Sequence, residues 1–157
     1  MKIAIIESNH WHVPLYLDAI ERSDVEVVGI CDSTGQTETQ LAARFRCRAY
    51  RGQADLLAAN AIDFAFVFGR HSDMPELADA LIARGIPFLI EKPCGVTAAE
   101  VARLALAAER RGLYVAVPFI FRLSDLGQIL LASHAEAADG VDHASFRFLA
   151  GPPQRYE

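Results

Sequence analysis

The apolar residues of this chain fall into short runs that recur between helix-length segments, and that alternation is what most restricts its fold. Lys2-Ile-Ala-Ile-Ile6 is β-branched or small and apolar after its lysine, and it reads as a central strand followed by a turn and a helix over residues 13–22. A second strand is expected at 25–31, a helix at 36–46, a short strand at 48–50 and a helix at 53–59. Residues 62–68 read as the fourth strand, with phenylalanines alternating on one face. Pro75 then opens a helix to Arg84, and Gly85 stops it. Residues 86–90 are apolar throughout, as in a strand buried on both faces of a parallel sheet. Thr97 and Glu100 have the spacing of a capping box for a helix to Arg111. A sixth strand is expected at 114–119, a helix capped by Ser124 or Asp125 to about Ala135, and a last strand at 143–149. Strands separated by helices over the first 119 residues predict an α/β fold, a doubly wound parallel sheet of the Rossmann type. Right-handed crossovers then bring the first turn, Asp32, residues 69–73 and Lys92 to one rim.

That rim is where chemistry is expected, because ligands of open α/β sheets sit beyond the carboxyl ends of the strands. The turn Ser8-Asn9-His10-Trp11-His12 lies where a nucleotide-binding βαβ unit meets its ligand. Asp32 closes the second strand, about 20 residues after the first turn, where an acid accepts hydrogen bonds from a ribose 2′-hydroxyl and repels a 2′-phosphate. Ser33 and Thr34 follow it rather than an arginine, so NAD is expected over NADP; the alternative for Asp32 is a helix N-cap. Glu91, Lys92 and Pro93 end the fifth strand, with Lys92 the candidate catalytic residue; the alternative is a solvated strand end. Pro93 has no N–H to donate, and an X-Pro bond can be cis. Arg70 and His71 read either as contacts to phosphate or nicotinamide or as solvated loop residues.

Composition narrows the partners. A length of 157 residues, 52% hydrophobic and 22% charged, describes an ordinary globular chain. A net charge of −5 with no offsetting basic cluster argues against nucleic acid, and Arg44, Arg46, Arg48 and Arg51 read as a solvated helix end and loop. There is no signal peptide and no apolar run long enough for a membrane span, so a cytoplasmic protein is expected. Cys31, Cys47 and Cys94 are widely spaced, and neither a disulfide framework nor a metal site is expected from them.

The sequence resembles the family of glucose-fructose oxidoreductase, inositol 2-dehydrogenase and their relatives (Gfo/Idh/MocA). The resemblance is carried by Lys2-Ile-Ala-Ile-Ile6, Asp32 after Val28-Gly-Ile-Cys, and Ile90-Glu-Lys-Pro93 before a capped helix. Phe121-Arg122 and Phe148-Leu-Ala-Gly-Pro-Pro extend it through nearly the whole chain. It implies a two-domain NAD(P)-dependent enzyme that oxidises a sugar, polyol or related hydroxyl by hydride transfer. It also implies that Lys92 reaches the nicotinamide ribose and a small-molecule substrate, and that the protein is a homo-oligomer. On that basis residues 1–120 form the NAD(P)-binding domain. Residues 121–157 form a connecting helix and the first strand of a substrate domain that is absent or truncated.

The chain departs from the family pattern at two places. Fingerprint glycines are expected at positions 7, 9 and 12, where this chain has Glu7, Asn9 and His12. Glycine there permits a tight turn and a close approach to the pyrophosphate, and Glu7 adds a repelling charge. The fourth-strand loop has Gly69-Arg70 and Met74 where relatives usually carry Thr-Pro and a histidine. The acid/base histidine of relatives belongs to the missing domain. His10 and His12 are the nearest substitutes, but they sit on the cofactor turn. Two alternatives to the oxidoreductase half therefore remain. One is a binding or regulatory module that has lost tight dinucleotide binding; the other is a structural subunit associating through residues 141–150.

Overall fold

The computed structural model describes residues 1–136 and Ser145. Its strands are β1 (Lys2–Ile6), β2 (Glu26–Cys31), β3 (Arg48–Tyr50), β4 (Phe64–Val67), β5 (Phe88–Ile90) and β6 (Val115–Ala116). The helices are α1 (Val13–Arg22), α2 (Glu38–Phe45), α3 (Gln53–Ala59), α4 (Met74–Arg84), α5 (Ala98–Glu109) and α6 (Asp125–Glu136). All pairings are parallel, in the order β3-β2-β1-β4-β5-β6. Each strand after β1 is reached through a helix, apart from the shorter ends noted below, so the expected doubly wound α/β sheet is what forms.

The two-residue period of β1 divides the core. Ile3 and Ile5 face one layer with Val13, Leu17 and Ile20 of α1, while Ala4 and Ile6 face the other with Leu56, Ala78 and Leu81. Phe68 is buried in the α1 layer and Phe64 and Phe66 pack against it, so the alternating phenylalanines are core. Gly29 of β2 sits beside an irregularity in the β1–β2 register. A side chain there would meet Tyr50 Cε2 at 2.9 Å, so the strand takes no larger residue without a shift.

Strands β4 and β5 are shorter at their starts than the apolar runs that encode them, and β6 spans only Val115–Ala116. Pro87 directly precedes β5 and Pro118 lies two residues beyond β6, and neither can donate to a ladder. α5 begins with the expected capping box: Glu100 N–H donates to Thr97 Oγ1 at 3.2 Å, and Thr97 N–H donates to Glu100 Oε2 at 2.9 Å. Thr97→Ala is expected to remove about 1 kcal/mol of stability, read as a fall of about 3 °C in the thermal midpoint.

The chain divides into two compact units, Met1–Pro118 and Phe119–Glu157. Of the second, the described part is a short 3₁₀ turn at Ile120–Leu123 and α6, where Ser124 Oγ accepts from Gly127 N–H at 3.2 Å as the cap. The strand expected at 143–149 and the apolar stretch 141–150 lie outside the described residues.

Candidate functional site

The order of the strands sets where the site lies. Chain direction across the sheet reverses between β1 and β4, and the crevice at their carboxyl ends is where a doubly wound sheet receives a ligand. Two adjoining hollows occupy that rim. One, of about 250 Å³, is lined by Glu7, Asn9, His10, Asp32, Thr34, Phe68, Gly69 and Arg70. The other, wider and of about 540 Å³, shares His10, Gly69 and Arg70 and continues to His71, Ser72 and Val96.

At the end beside β2 the polar groups lining the hollow are engaged with one another. Glu7 has a left-handed backbone (φ 59°), and its carboxylate turns toward the loop after β2. There it accepts from Ser33 Oγ at 2.6 Å and from Ser33 N–H at 3.3 Å. Ser8 is buried, with its hydroxyl 2.8 Å from Thr37 Oγ1, and Asn9 Nδ2 donates to Gln36 Oε1 at 3.0 Å and Thr34 Oγ1 at 3.2 Å. The donors at the start of α1 are also engaged. His12 N–H donates to His10 Nδ1, Val13 N–H to the His10 carbonyl and Leu15 N–H to the His12 carbonyl, while Pro14 has none. Such donors are what a helix N-terminus offers a phosphate.

Asp32 differs from both sequence readings. Its side chain is fully buried, and Thr37 rather than Asp32 is the N-cap residue of α2. The carboxylate accepts from the backbone N–H groups of Thr34 (3.0 Å), Gln36 (3.1 Å) and Thr37 (3.2 Å), and from both threonine hydroxyls. Burial pushes this carboxyl's pKa up, but the hydrogen bonds outweigh it and hold the group below its ordinary value. An open acid awaiting a ribose is therefore not what is observed; the carboxylate organises its own loop.

The other end of the rim is differently built. Glu91 is buried and points inward, so it meets protein groups rather than open crevice. Its Oε1 accepts from Tyr16 Oη at 2.8 Å and lies 3.0 Å from His12 Nδ1, and its Oε2 accepts from Lys92 N–H at 3.0 Å. The His12 contact is close without being a hydrogen bond. Burial and the Tyr16 bond act in opposite directions on Glu91, and its carboxyl ends below the ordinary range. Burial and the bond to Glu91 raise the Tyr16 phenol well above its usual value. Lys92 and Pro93 are exposed, the bond between them is cis, and Lys92 Nζ stands 5.8 Å from the Trp11 ring centroid.

His10 packs against Phe68 (centroids 6.1 Å apart), and burial, reinforced by the charge of His12, lowers its pKa, favouring the neutral ring. Arg70 and His71 are exposed on the loop after β4 and line the wider hollow. Burial pushes the Cys31 thiol up to about 12 and the Cys47 thiol up to about 11, which suits apolar filler better than a nucleophile. Among the described residues there is no group of three metal-ligating side chains, and no helix is long and apolar enough to cross a membrane. Two contributors were missed from sequence. Tyr16 lies four residues after His12, the spacing that puts both on one face as α1 begins, so a signal for it existed. Ser33 as partner of Glu7 had none, since the two residues belong to different loops.

Comparison with known proteins agrees with this geometry. Residues 4–119 match the oxidoreductase family Gfo/Idh/MocA, NAD-binding Rossmann fold. The rhizopine catabolism protein MocA of Rhizobium meliloti is 29% identical over 146 residues, covering 85% of this chain and 46% of MocA. Among solved structures, UDP-N-acetylglucosamine 3-dehydrogenase GnnA from Acidithiobacillus ferrooxidans superposes with a TM-score of 0.68 at 26% identity, over 85% of this chain and 43% of GnnA. A Gfo/Idh/MocA oxidoreductase from Vibrio cholerae gives 0.69 at 25% identity, over 82% of this chain and 44% of that one. The chain thus spans less than half the length of these relatives. A sheet that reverses direction beside β1, a Glu-Lys-Pro end to β5 and a match over most of the residues lead to one conclusion: the chain belongs to the Gfo/Idh/MocA oxidoreductase family, whose NAD-binding Rossmann fold it carries.

Proposed function

We propose that this chain is the cofactor-binding half of an NAD-dependent oxidoreductase acting on a hydroxyl of a sugar, polyol or similar small molecule. The observation that carries the reading is Lys92. It is exposed on the same rim as the end of β1, with its backbone held by buried Glu91 and its ammonium near Trp11. NAD, when bound, supplies the hydride acceptor. The residues present fit part of it: the wider hollow, of about 540 Å³, is of ligand size, and the Arg70 guanidinium at its edge can face a phosphate. Lys92 would donate a hydrogen bond to the nicotinamide ribose and the substrate hydroxyl, while neutral His10 closes the inner wall against Phe68. The MocA and GnnA relatives act on small molecules, by their names, and a sugar-like substrate is carried over from them. A cytoplasmic setting fits the free cysteines, and self-association belongs to the same reading.

Glu7 lines the smaller hollow and the buried Asp32 carboxylate adds its charge beside it, so a ribose 2′-phosphate placed there would be repelled by both, without touching Asp32. Calorimetric titration is expected to show NAD binding at least about tenfold more tightly than NADP, the effect of roughly 1.4 kcal/mol. Equal affinities, or a preference for NADP, would refute the assignment of cofactor.

One set of contacts favours a second reading. Engaged donors at the start of α1 and the Glu7–Ser33 bonds suit a module that has lost tight dinucleotide binding and serves a regulatory role. NAD binding at micromolar strength by the unaltered chain would exclude it.

A further inference from the structure

We infer that Trp11 and His12, on the turn after β1, are positioning residues for Lys92. This rests on the proposed role of that lysine, but the contacts themselves do not. The family pattern puts a glycine at position 12, which has no side chain to offer; here the position carries a buried histidine whose Nδ1 is 3.0 Å from Glu91 Oε1. Glu91 passes that contact on, since its other oxygen accepts the Lys92 N–H at 3.0 Å. Tyr16 holds Glu91 Oε1 from the next turn of α1 at 2.8 Å. Trp11 reaches the far end of the same residue, with Nζ 5.8 Å from its ring centroid, inside the range of a cation–π contact. The Trp11 and His12 rings lie against each other with centroids 3.7 Å apart, so the two supports are in contact.

The consequence is a lysine held at both ends. Its ammonium rides on a flexible four-carbon stem, and an exposed lysine otherwise samples many rotamers. Anchoring the backbone through Glu91 and the ammonium over Trp11 narrows that set before any ligand arrives. The replacement that removes a fingerprint glycine thus supplies a group for the opposite end of the crevice. Trp11 and His12 act through Lys92 and Glu91, not on a substrate.

The chain is well suited to a direct test, because its only lysines are Lys2 and Lys92 and it has one tryptophan. In the ligand-free protein labelled with ¹³C,¹⁵N-lysine, the Lys92 ε-methylene signal is expected upfield of that of Lys2 through the ring current of Trp11. Trp11→Ala should bring the two signals together, and Trp11→Phe should keep most of the separation. The Lys92 backbone amide signal should hold its place in His12→Asn, whose amide nitrogen substitutes for Nδ1, and move in His12→Ala. Coincident ε-methylene signals in the parent, or a separation that survives Trp11→Ala, would overturn the proposal. Lys92→Met reads the same contact from the other partner and changes only an exposed side chain. A shift in tryptophan emission supports the contact, and an unchanged spectrum refutes it. No cofactor is present in these measurements, so failure of NAD to bind leaves their outcome standing.

Discussion

Glu7→Gly is expected to raise the affinity of the chain for NAD by two to three orders of magnitude. A carboxylate about 4 Å from a phosphate repels it by about 4 kcal/mol at an effective dielectric constant near 20, which is about a thousandfold in binding. The Glu7 carboxylate is engaged by Ser33, and the lower end of the range allows for a separation greater than about 4 Å. The same substitution relieves a left-handed backbone at φ 59°, a conformation that glycine adopts freely and other residues at a penalty of about 1 kcal/mol. Loss of the Ser33 bonds offsets that relief, so affinity should rise with little net change in thermal stability. Glu7→Gln separates the two effects, since it removes the charge and keeps the backbone strain. Calorimetry and thermal unfolding on the three proteins decide the matter. Equal NAD affinity in parent and Glu7→Gly would mean that the turn after β1 does not limit binding.

Asp32→Ala is expected to be among the most destabilising single substitutions in the domain, at about 3 kcal/mol. The carboxylate accepts three backbone N–H groups and two hydroxyls, and alanine leaves these donors without their acceptor. Each buried orphan costs about 1–3 kcal/mol, reduced here because water reaches the exposed residues of the loop. In urea the midpoint should fall by about 1–2 M. The pH dependence has a definite sign. A carboxyl held below its unfolded value contributes its full stabilisation above about pH 4 and loses it as the pH falls through the folded value. The parent should therefore lose stability in acid more steeply than Asp32→Asn. Matching acid profiles would remove Asp32 as the anchor of its loop.

The site was legible in sequence wherever a position follows from chain order. Lys92 closes an apolar run and Asp32 closes another, so a parallel sheet brings both to one rim whatever their rotamers. The directions of their neighbours did not follow. Glu91 sits beside Lys92 in sequence and faces the interior, because Tyr16, 75 residues away, offers its carboxylate a buried partner. Asp32 was readable as a ribose acceptor or as a cap; the donors of residues 34–37 made it neither. Glu7 was recognisable as an obstacle, but its escape toward Ser33 depends on how two separate loops meet.

Local pattern alone determined the elements of this protein, their alternation, the capping box at Thr97 and the place of the lysine at a strand end. Those properties depend on residue spacing and backbone preference, which are written within a few positions of one another. Tertiary structure alone decided the strand order, the layer each helix covers, and which carboxylates meet the crevice and which the chain's own donors. A side chain's direction is settled by whichever partner reaches it first in space, and here those partners came from loops and helices far away in sequence.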